Sequence, residues 1–533
     1  MQELDAADDY PEGPRWWLAL LACVLVIMGA KLTLILYYGS PVPFWDQWDA
    51  EGGKLYQPYL QGFVPLSNFI AAHNEHRILI SRLLSLGELE FAGRWDPILQ
   101  MCINAMLHTA CLVTLMVLLR RMVSASAAIA LTAFVALLVS IPFAWENVLA
   151  GFQSQFSCVL LFSMVSLSLL AVAPAFDVRW GVGVLLAVLG YFSLSAGGGT
   201  LIIAGVIAAA QVAIGRRGGM REWAGIAVLV VSGLVLLALV PQPPYHASLK
   251  AQSIEQYLLA LQSIASWPLK SMPLVPFLLY LPLVWLAVRV LRERRPLSDP
   301  AWLCIGIGGW IGMQEILLAY GRAPDVRSSR YLDLIAILLV VNFVAVAALL
   351  KDLAASGTRR PAGLGLAAAW LLMVTLGLGY SAMKSVAADV INRGQTGKMQ
   401  VENVRNYLAT GDMAHLKGKP PLQVPYPNAE RLASFLNMPE IRGILPPELV
   451  NDPAATAAMQ ARLSSGGMFA PLAWKIRTFL PKAGPYIGFA GIAFYFLAGL
   501  AGGLLATRSE RARHAEREDD EPAPGPAAAP NLA

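Results

Sequence analysis

The sequence predicts an all-α polytopic membrane protein with about twelve transmembrane helices. Three observations predict it. Of 533 residues, 56% are apolar and only 14% charged, where an ordinary soluble domain carries about 25% charged residues. The mean hydropathy is +0.56, which is more apolar sequence than one soluble core absorbs, because such cores stop growing near about 250–300 residues. The apolar residues also gather in runs of roughly 20, the length a helix needs to cross the hydrocarbon. These figures exclude a soluble enzyme, a disordered chain and a secreted disulfide scaffold. The balance of 40 Lys+Arg against 35 Asp+Glu, a net +5, is too mild to point to nucleic acid. The five cysteines (Cys23, Cys102, Cys111, Cys158, Cys304) fall in apolar runs without metal-like spacing and read as buried thiols.

The expected spans lie near Trp16–Tyr38, Ile98–Leu119, Val123–Ile141, Phe156–Ala173, Trp180–Leu194, Thr200–Ile214, Trp223–Val240, Leu274–Val290, Ala301–Tyr320, Leu332–Leu350, Leu364–Ala382 and Tyr486–Ala506. The fifth and sixth are separated only by Ser195-Ala196-Gly197-Gly198-Gly199, and one broken helix or a re-entrant pair would fit the same residues. The first span follows Arg15 without a small-residue cleavage site and reads as a retained signal anchor. With a cytoplasmic N-terminus, the inner loops collect Arg120-Arg121, Arg179, Arg216-Arg217, Arg292 to Arg295, Lys351 with Arg359-Arg360, and Arg508 to Arg517. The short outer loops after spans three and five hold no Lys or Arg. The positive-inside rule therefore places both termini in the cytoplasm. The chain divides into a transmembrane module over 1–383, whose first outer loop is 39–97, an outer segment over 384–485, a last span over 486–506 and a disordered cytoplasmic tail over 507–533.

Nearly every unusual polar residue falls on the outer side. In Pro43-Phe44-Trp45-Asp46-Gln47-Trp48-Asp49-Ala50-Glu51, three carboxylates sit within six positions of one another, interleaved with two tryptophans. An interfacial aromatic belt explains the tryptophans but not acids crowded beside a membrane. The segment His73-Asn74-Glu75-His76-Arg77 is expected on a helix starting near Ser67, where His73, His76 and Arg77 would share one face. Such a face would hold an anion or, with nearby carboxylates, a divalent cation, for which Asp46, Asp49, His73 and His76 are the ligand candidates. From Ile78 to Phe91 the pattern fits a helix lying in the headgroup plane.

Glu146, Asn147 and Gln153, among aromatics in the second outer loop, suit sugar recognition by stacking and hydrogen bonds and suit a plain interfacial loop equally well. Arg322, Arg327 and Arg330 lie outside against the positive-inside trend, and arginine grips phosphate with two parallel bonds. Arg330-Tyr331 opens the tenth span, whose helix N-terminus adds its own preference for an anion. Lys31, Gln314 and Glu315 are intramembrane polar residues and functional candidates on that ground. The outer segment after the eleventh span is too long for an idle connector and is expected to form a small, partly helical cap, with strand admissible around Gly467–Arg477.

This organisation resembles the GT-C superfamily, the multi-pass glycosyltransferases that use polyprenyl-phosphate sugars. Protein mannosyltransferases, lipid A aminoarabinose transferases and mycobacterial arabinofuranosyltransferases belong to it. The likeness covers the architecture of nearly the whole chain. Its motifs, Phe44-Trp45-Asp46-Gln47-Trp48-Asp49 and His73-Asn74-Glu75-His76-Arg77, look like those of uncharacterised bacterial members. Where some relatives carry Asp-Glu, this chain has Asp46-Gln47, with Asp49 three residues on. The resemblance implies a bacterial inner-membrane enzyme with a periplasmic active face. It would move a sugar from a polyprenyl-phosphate donor to a lipid-linked or cell-envelope glycan acceptor. It implies that Asp46, or else Asp49, deprotonates the acceptor hydroxyl, and that Arg77, Arg327 and Arg330 take the leaving phosphate with His73 or His76 assisting. Trp45, Trp48, Glu51, Glu75, Glu146, Asn147, Gln153, Arg322 and Tyr331 complete the candidate substrate-binding set. A transporter or flippase of lipid-linked sugar, with about twelve spans and both termini inside, remains a competing reading, as does a polysaccharide ligase or polymerase.

Overall fold

The computed structural model describes residues 14–355, 360–450, 452–463 and 468–519. The chain is an all-α multi-pass membrane protein. Its helices in chain order are α1 (Pro14–Tyr38), α2 (Leu79–Ala92), α3 (Pro97–Leu119), α4 (Ala125–Ser140), α5 (Ser154–Leu170), α6 (Val178–Tyr191), α7 (Gly199–Ala213), α8 (Met220–Ala238), α9 (Val275–Arg292), α10 (Ala301–Gly321), α11 (Ser329–Ala355), α12 (Arg360–Ser381), α13 (Ala387–Thr410) and α14 (Ala470–Asp519). Shorter helices lie between them. Each of the twelve expected apolar runs falls on one of these helices. Among the described residues, nine helices are long and apolar enough to cross a membrane, while α4 and α6 are shorter.

Two expectations about the last helix change. α14 begins sixteen residues before Tyr486, at Ala470, so residues 470–477 are helical and not strand. It also continues to Asp519, so the first part of the expected disordered tail is helix. The Pro/Ala-rich remainder, 520–533, lies outside the described residues.

α14 packs along α1 because both carry small residues where their backbones meet. A Cβ on Gly29 would lie 2.3 Å from the Gly488 nitrogen, and one on Gly484 would lie 2.7 Å from the Thr33 nitrogen. This is the close approach that small residues permit between membrane helices, where no hydrophobic effect drives them together. At the centre of the bundle runs α11, with 72% of its most apolar stretch buried, against 22% for α8 and α9 at the lipid-facing periphery. The five cysteines are buried and free.

The loops sort to two ends. At one end Arg216 donates to the Arg294 carbonyl, and Arg295 and Arg289 pair with Asp352 at 2.6 and 3.1 Å. At the other end the first loop, the loops at 145–153, 195–198, 244–249 and 322–330, and the segment from 387 meet one another. That end has its own apolar core. Trp48 and Tyr56 each set an edge against Trp95 at 5.2 Å, and Phe435 lies 6.1 Å from Trp48. Leu55, Leu60 and Leu89 from the first loop pack with Val404, Leu432, Leu436, Ile441 and Ile444 from the C-terminal segment. Arg477 of α14 closes the seam, pairing with Asp96 at 2.8 Å and with Glu448.

Candidate functional site

Two features of the first loop depart from expectation. Helix forms only over Leu66–Ile70, and His73-Asn74-Glu75-His76 folds instead into a hairpin, β1 (Ala72–His73) antiparallel to β2 (His76–Arg77). Asn74, at φ 51°, supplies the left-handed residue of the two-residue turn, a conformation asparagine tolerates. The two histidines still meet, because His73 and His76 are directly paired across the hairpin. Arg77 does not join them and donates to the Ile70 carbonyl at 3.0 Å. The second departure is in α2, whose polar stripe of Ser81, Arg82, Ser85 and Glu88 is buried while Leu83 is exposed. That is the reverse of a helix floating in the headgroup plane.

A cavity of about 460 Å³ opens at the loop-rich end, a size suited to a small-molecule ligand. Of the residues expected at a site, it is lined by Trp45, Asp46, Glu146, Gln153, Arg327 and Arg330. Asp46 follows Trp45, which has a left-handed φ of 51° that turns the chain from the Pro41–Phe44 loop into the helix beginning at Asp46. His73 Nε2 lies 3.3 Å from Asp46 Oδ1, with the Asp46 side chain still 42% exposed toward the cavity. Phe152 sets its ring edge-on to His73 at 5.3 Å and fixes the imidazole. Burial raises the Asp46 carboxyl, but the His73 contact and charge, with Arg330 further off, outweigh it and hold the group below the usual carboxylate range. His76, by contrast, is pushed down to about 4 mainly by burial, and its Nδ1 has no hydrogen-bond partner. It is neutral at physiological pH.

The opposite wall is basic. Arg330 stands at the start of α11, 38% exposed and 3.5 Å from Glu146. The anion position at that helix N-terminus is already taken. Glu146 Oε2 accepts from Ser329 Oγ at 2.6 Å and from the Arg330 amide at 3.2 Å. The helix end expected to receive a ligand phosphate is therefore capped by the protein's own carboxylate. Arg327 donates to the Ser263 carbonyl, with its Nε at 2.9 Å, and lines the cavity from there.

The sequence reading did not single out Arg393, which belongs to the same wall. Its side chain is 4% exposed and its guanidinium stacks on Phe44, 4.2 Å from the ring centroid. It bonds to Gln400 Oε1 and the Leu149 carbonyl, and among the described residues no carboxylate pairs with it. It reaches the cavity because α13 lies close against the end of α1: a Cβ on Gly394 would meet the Tyr38 ring at 2.6 Å. An arginine beside Gly394 and Gly397 was the available signal. Phe44, Trp145, Asp325, Asp389, Asn392, Thr396 and Leu422 also line the cavity without having been expected there.

The other expected residues lie around the cavity, outside its lining. Asp49 accepts from Tyr426 at 2.5 Å and from Arg431 at 3.0 Å, tying the first loop to the C-terminal segment. Trp48 is fully buried in the outer core and donates to the Pro43 carbonyl. Glu51 is fully buried among Gln47, Ser85, Trp95 and Gln100. Asn147 bridges the Arg330 carbonyl and Asp333 at 2.9 and 3.0 Å. Glu75 pairs with Arg322, and Tyr331 accepts from Arg322 Nε at 3.1 Å. The four expected metal-ligand candidates do not converge: Asp46 and His73 meet, while Asp49 is occupied by Tyr426 and Arg431. Among the described residues no group of three or more His, Cys, Asp or Glu side chains is disposed to hold a metal ion. No family model, no curated protein and no solved structure matches the chain.

Proposed function

We propose that this chain is a membrane glycosyltransferase of the GT-C type, using a polyprenyl-phosphate sugar as donor. We place it in the bacterial inner membrane, with about twelve crossings, cytoplasmic termini and the cavity on the periplasmic side. One observation carries the reading. A single cavity sets an ionised carboxylate, Asp46 braced by His73, among three arginines, of which Arg393 has no carboxylate partner among the described residues. Nine helices of spanning length and hydropathy among the described residues, with two shorter apolar ones, support a multi-pass arrangement.

In this reading Asp46 accepts the proton of the acceptor hydroxyl. The acceptor oxygen forms a bond to the anomeric carbon as the bond from that carbon to the phosphate oxygen breaks. Both electrons leave with the polyprenyl phosphate, whose added charge Arg330 and Arg393 offset. A phosphate is a good leaving group, so a base of modest strength suffices and no acid is needed on the leaving side. Trp45, Phe44 and Trp145 offer faces for a sugar ring, and Gln153 and Asn392 offer hydrogen bonds. Attack from the side opposite the phosphate inverts the anomeric centre. The acceptor is a lipid-linked or cell-envelope glycan.

Asp46→Asn is expected to lower transfer at least about a hundredfold, the lower end of what a positioned general base contributes. Asp49→Asn, which loosens only the Tyr426 and Arg431 contacts, is expected to retain most of it. The assay is sugar transfer by membranes given a panel of monophosphate and diphosphate lipid sugars. Full transfer by Asp46→Asn would refute the role. Transfer from diphosphate donors alone would favour a ligase or polymerase. A flippase reading draws on the polar residues within the apolar helices, buried Lys31 and the His108–Asp333 pair at 3.8 Å. Movement of lipid-linked sugar across vesicles without any transfer would decide for it.

A further inference from the structure

The tip of the 72–77 hairpin is held by three other outer loops. Glu75 takes a two-pronged pair from Arg322, at 2.8 and 2.7 Å, and its Oε1 lies 2.5 Å from His246 Nδ1. The Glu75 carbonyl accepts from Ser195 Oγ at 2.6 Å, and Asn74 Oδ1 accepts from Tyr245 at 3.1 Å. None of these groups lines the cavity. Each end of the connection nonetheless leads there. From Glu75 the hairpin runs two residues back to His73, which holds Asp46. From Arg322 a third bond goes to the Tyr331 hydroxyl, on the first turn of α11 beside Arg330.

We propose that Glu75 and Arg322 are positioning residues, a strut that fixes the spacing across the cavity between the Asp46 carboxylate and the Arg330 guanidinium. The role rests on the transfer reading for its consequence, but the strut itself does not. A planar guanidinium gripping a carboxylate through two parallel bonds fixes angle as well as distance, which a lysine ammonium does not. Buried at one end and shared with Tyr331 at the other, the Arg322 fork leaves the hairpin little freedom to slide against α11. Reacting groups misplaced by about 1 Å lose rate steeply, so the strut acts on turnover more than on donor capture.

The test uses full-length protein with Glu75→Gln, Arg322→Gln, the double variant and the milder Arg322→Lys. The first readout needs no activity: the rate at which diethyl pyrocarbonate modifies His73, followed on its peptide by mass spectrometry. Each single variant is expected to raise it several-fold, with Arg322→Lys intermediate. The double variant is expected to match the singles, because both break one connection. The second readout is steady-state transfer, where kcat is expected to fall on the order of tenfold to a hundredfold with KM nearly unchanged. Unchanged His73 labelling in folded Glu75→Gln or Arg322→Lys overturns the strut, as do additive losses in the double variant. Absence of transfer by the unaltered protein would fail the glycosyltransferase reading alone, since the labelling arm still decides the strut.

Discussion

Glu51→Gln and Glu88→Gln remove a carboxyl from the same buried cluster, yet their effects are expected to differ sharply. Glu51 is 1% exposed. Its Oε2 accepts from Gln47 Nε2 at 3.0 Å and Trp95 Nε1 at 2.9 Å, and its Oε1 from Ser85 Oγ at 2.7 Å and Gln100 Nε2 at 3.2 Å. Burial raises this carboxyl above its ordinary value, and the four donors around it offset only part of that rise. All four partners donate, so Glu51 offers only acceptors and is the ionised member. Glu88 receives Gln100 Nε2 at 3.2 Å, and its Oε1 has no hydrogen-bond partner. Burial first, and then the Glu51 charge, push it well above the carboxylate range. Glu88 is the member that holds a proton. In Glu51→Gln the new amide nitrogen faces Ser85, whose hydroxyl rotates to accept, and collides in polarity with Gln100. The loss is one hydrogen bond to a charged group and one satisfied donor, together on the order of 4 kcal/mol. Glu88→Gln replaces a neutral acid with a neutral amide and is expected to stay within about 1 kcal/mol. Thermal unfolding of the detergent-purified protein measures the contrast. Equal losses, or a larger one from Glu88→Gln, would refute the charge assignment. A Glu51→Gln variant of unchanged stability but without transfer would return Glu51 to substrate binding.

Gly394→Ala is expected to destabilise by about 1–3 kcal/mol, because its Cβ meets the Tyr38 ring at 2.6 Å and overpacks the α1–α13 contact. The same unfolding assay, with donor KM as a measure of Arg393 displacement, checks it. The Glu75 ion pair makes a pH prediction. Burial raises this carboxyl, but Arg322 and His246 outweigh burial and hold it at about 2, against an ordinary 4.5. A depressed acid contributes stability above its unfolded value that is lost as pH falls through the folded one, here about 3 kcal/mol. The stability gap between the unaltered protein and Glu75→Gln should be constant above pH 5, narrow from about 4.5 downward and close near 2. A gap independent of pH would refute it.

The membrane helices were legible because their signal is local: a run of apolar residues reports itself. The site was legible in part, because Asp46, Glu146, Gln153, Arg327 and Arg330 stood out as charges and amides against apolar sequence. The hairpin was not. His73-Asn74-Glu75-His76 has helical spacing on paper, and only the grip of Arg322, His246 and Ser195 on its tip, from loops distant in sequence, selects the turn. Roles within the cluster were illegible for the same reason. Glu51 and Trp48 look like Asp46 and Trp45 in the sequence, and only the outer core decides that the former pair faces inward. Arg393 escaped notice because what marks it, the lack of a carboxylate partner among the described residues, is a property of the folded protein.

The outer core also sets an order of assembly. Asp49 and Tyr426 are 377 positions apart, yet they are bonded, and Trp48 and Phe435 share one apolar cluster. On a ribosome the first loop emerges long before its partner segment exists. Until then Trp48 has Trp95 beside it but lacks Phe435, and closing so long a loop is entropically late. The cavity wall that carries Arg393 arrives in the same closing stretch. The chain therefore cannot build its working face until almost all of it has been made, and a truncated product would leave the translocon without a completed cavity.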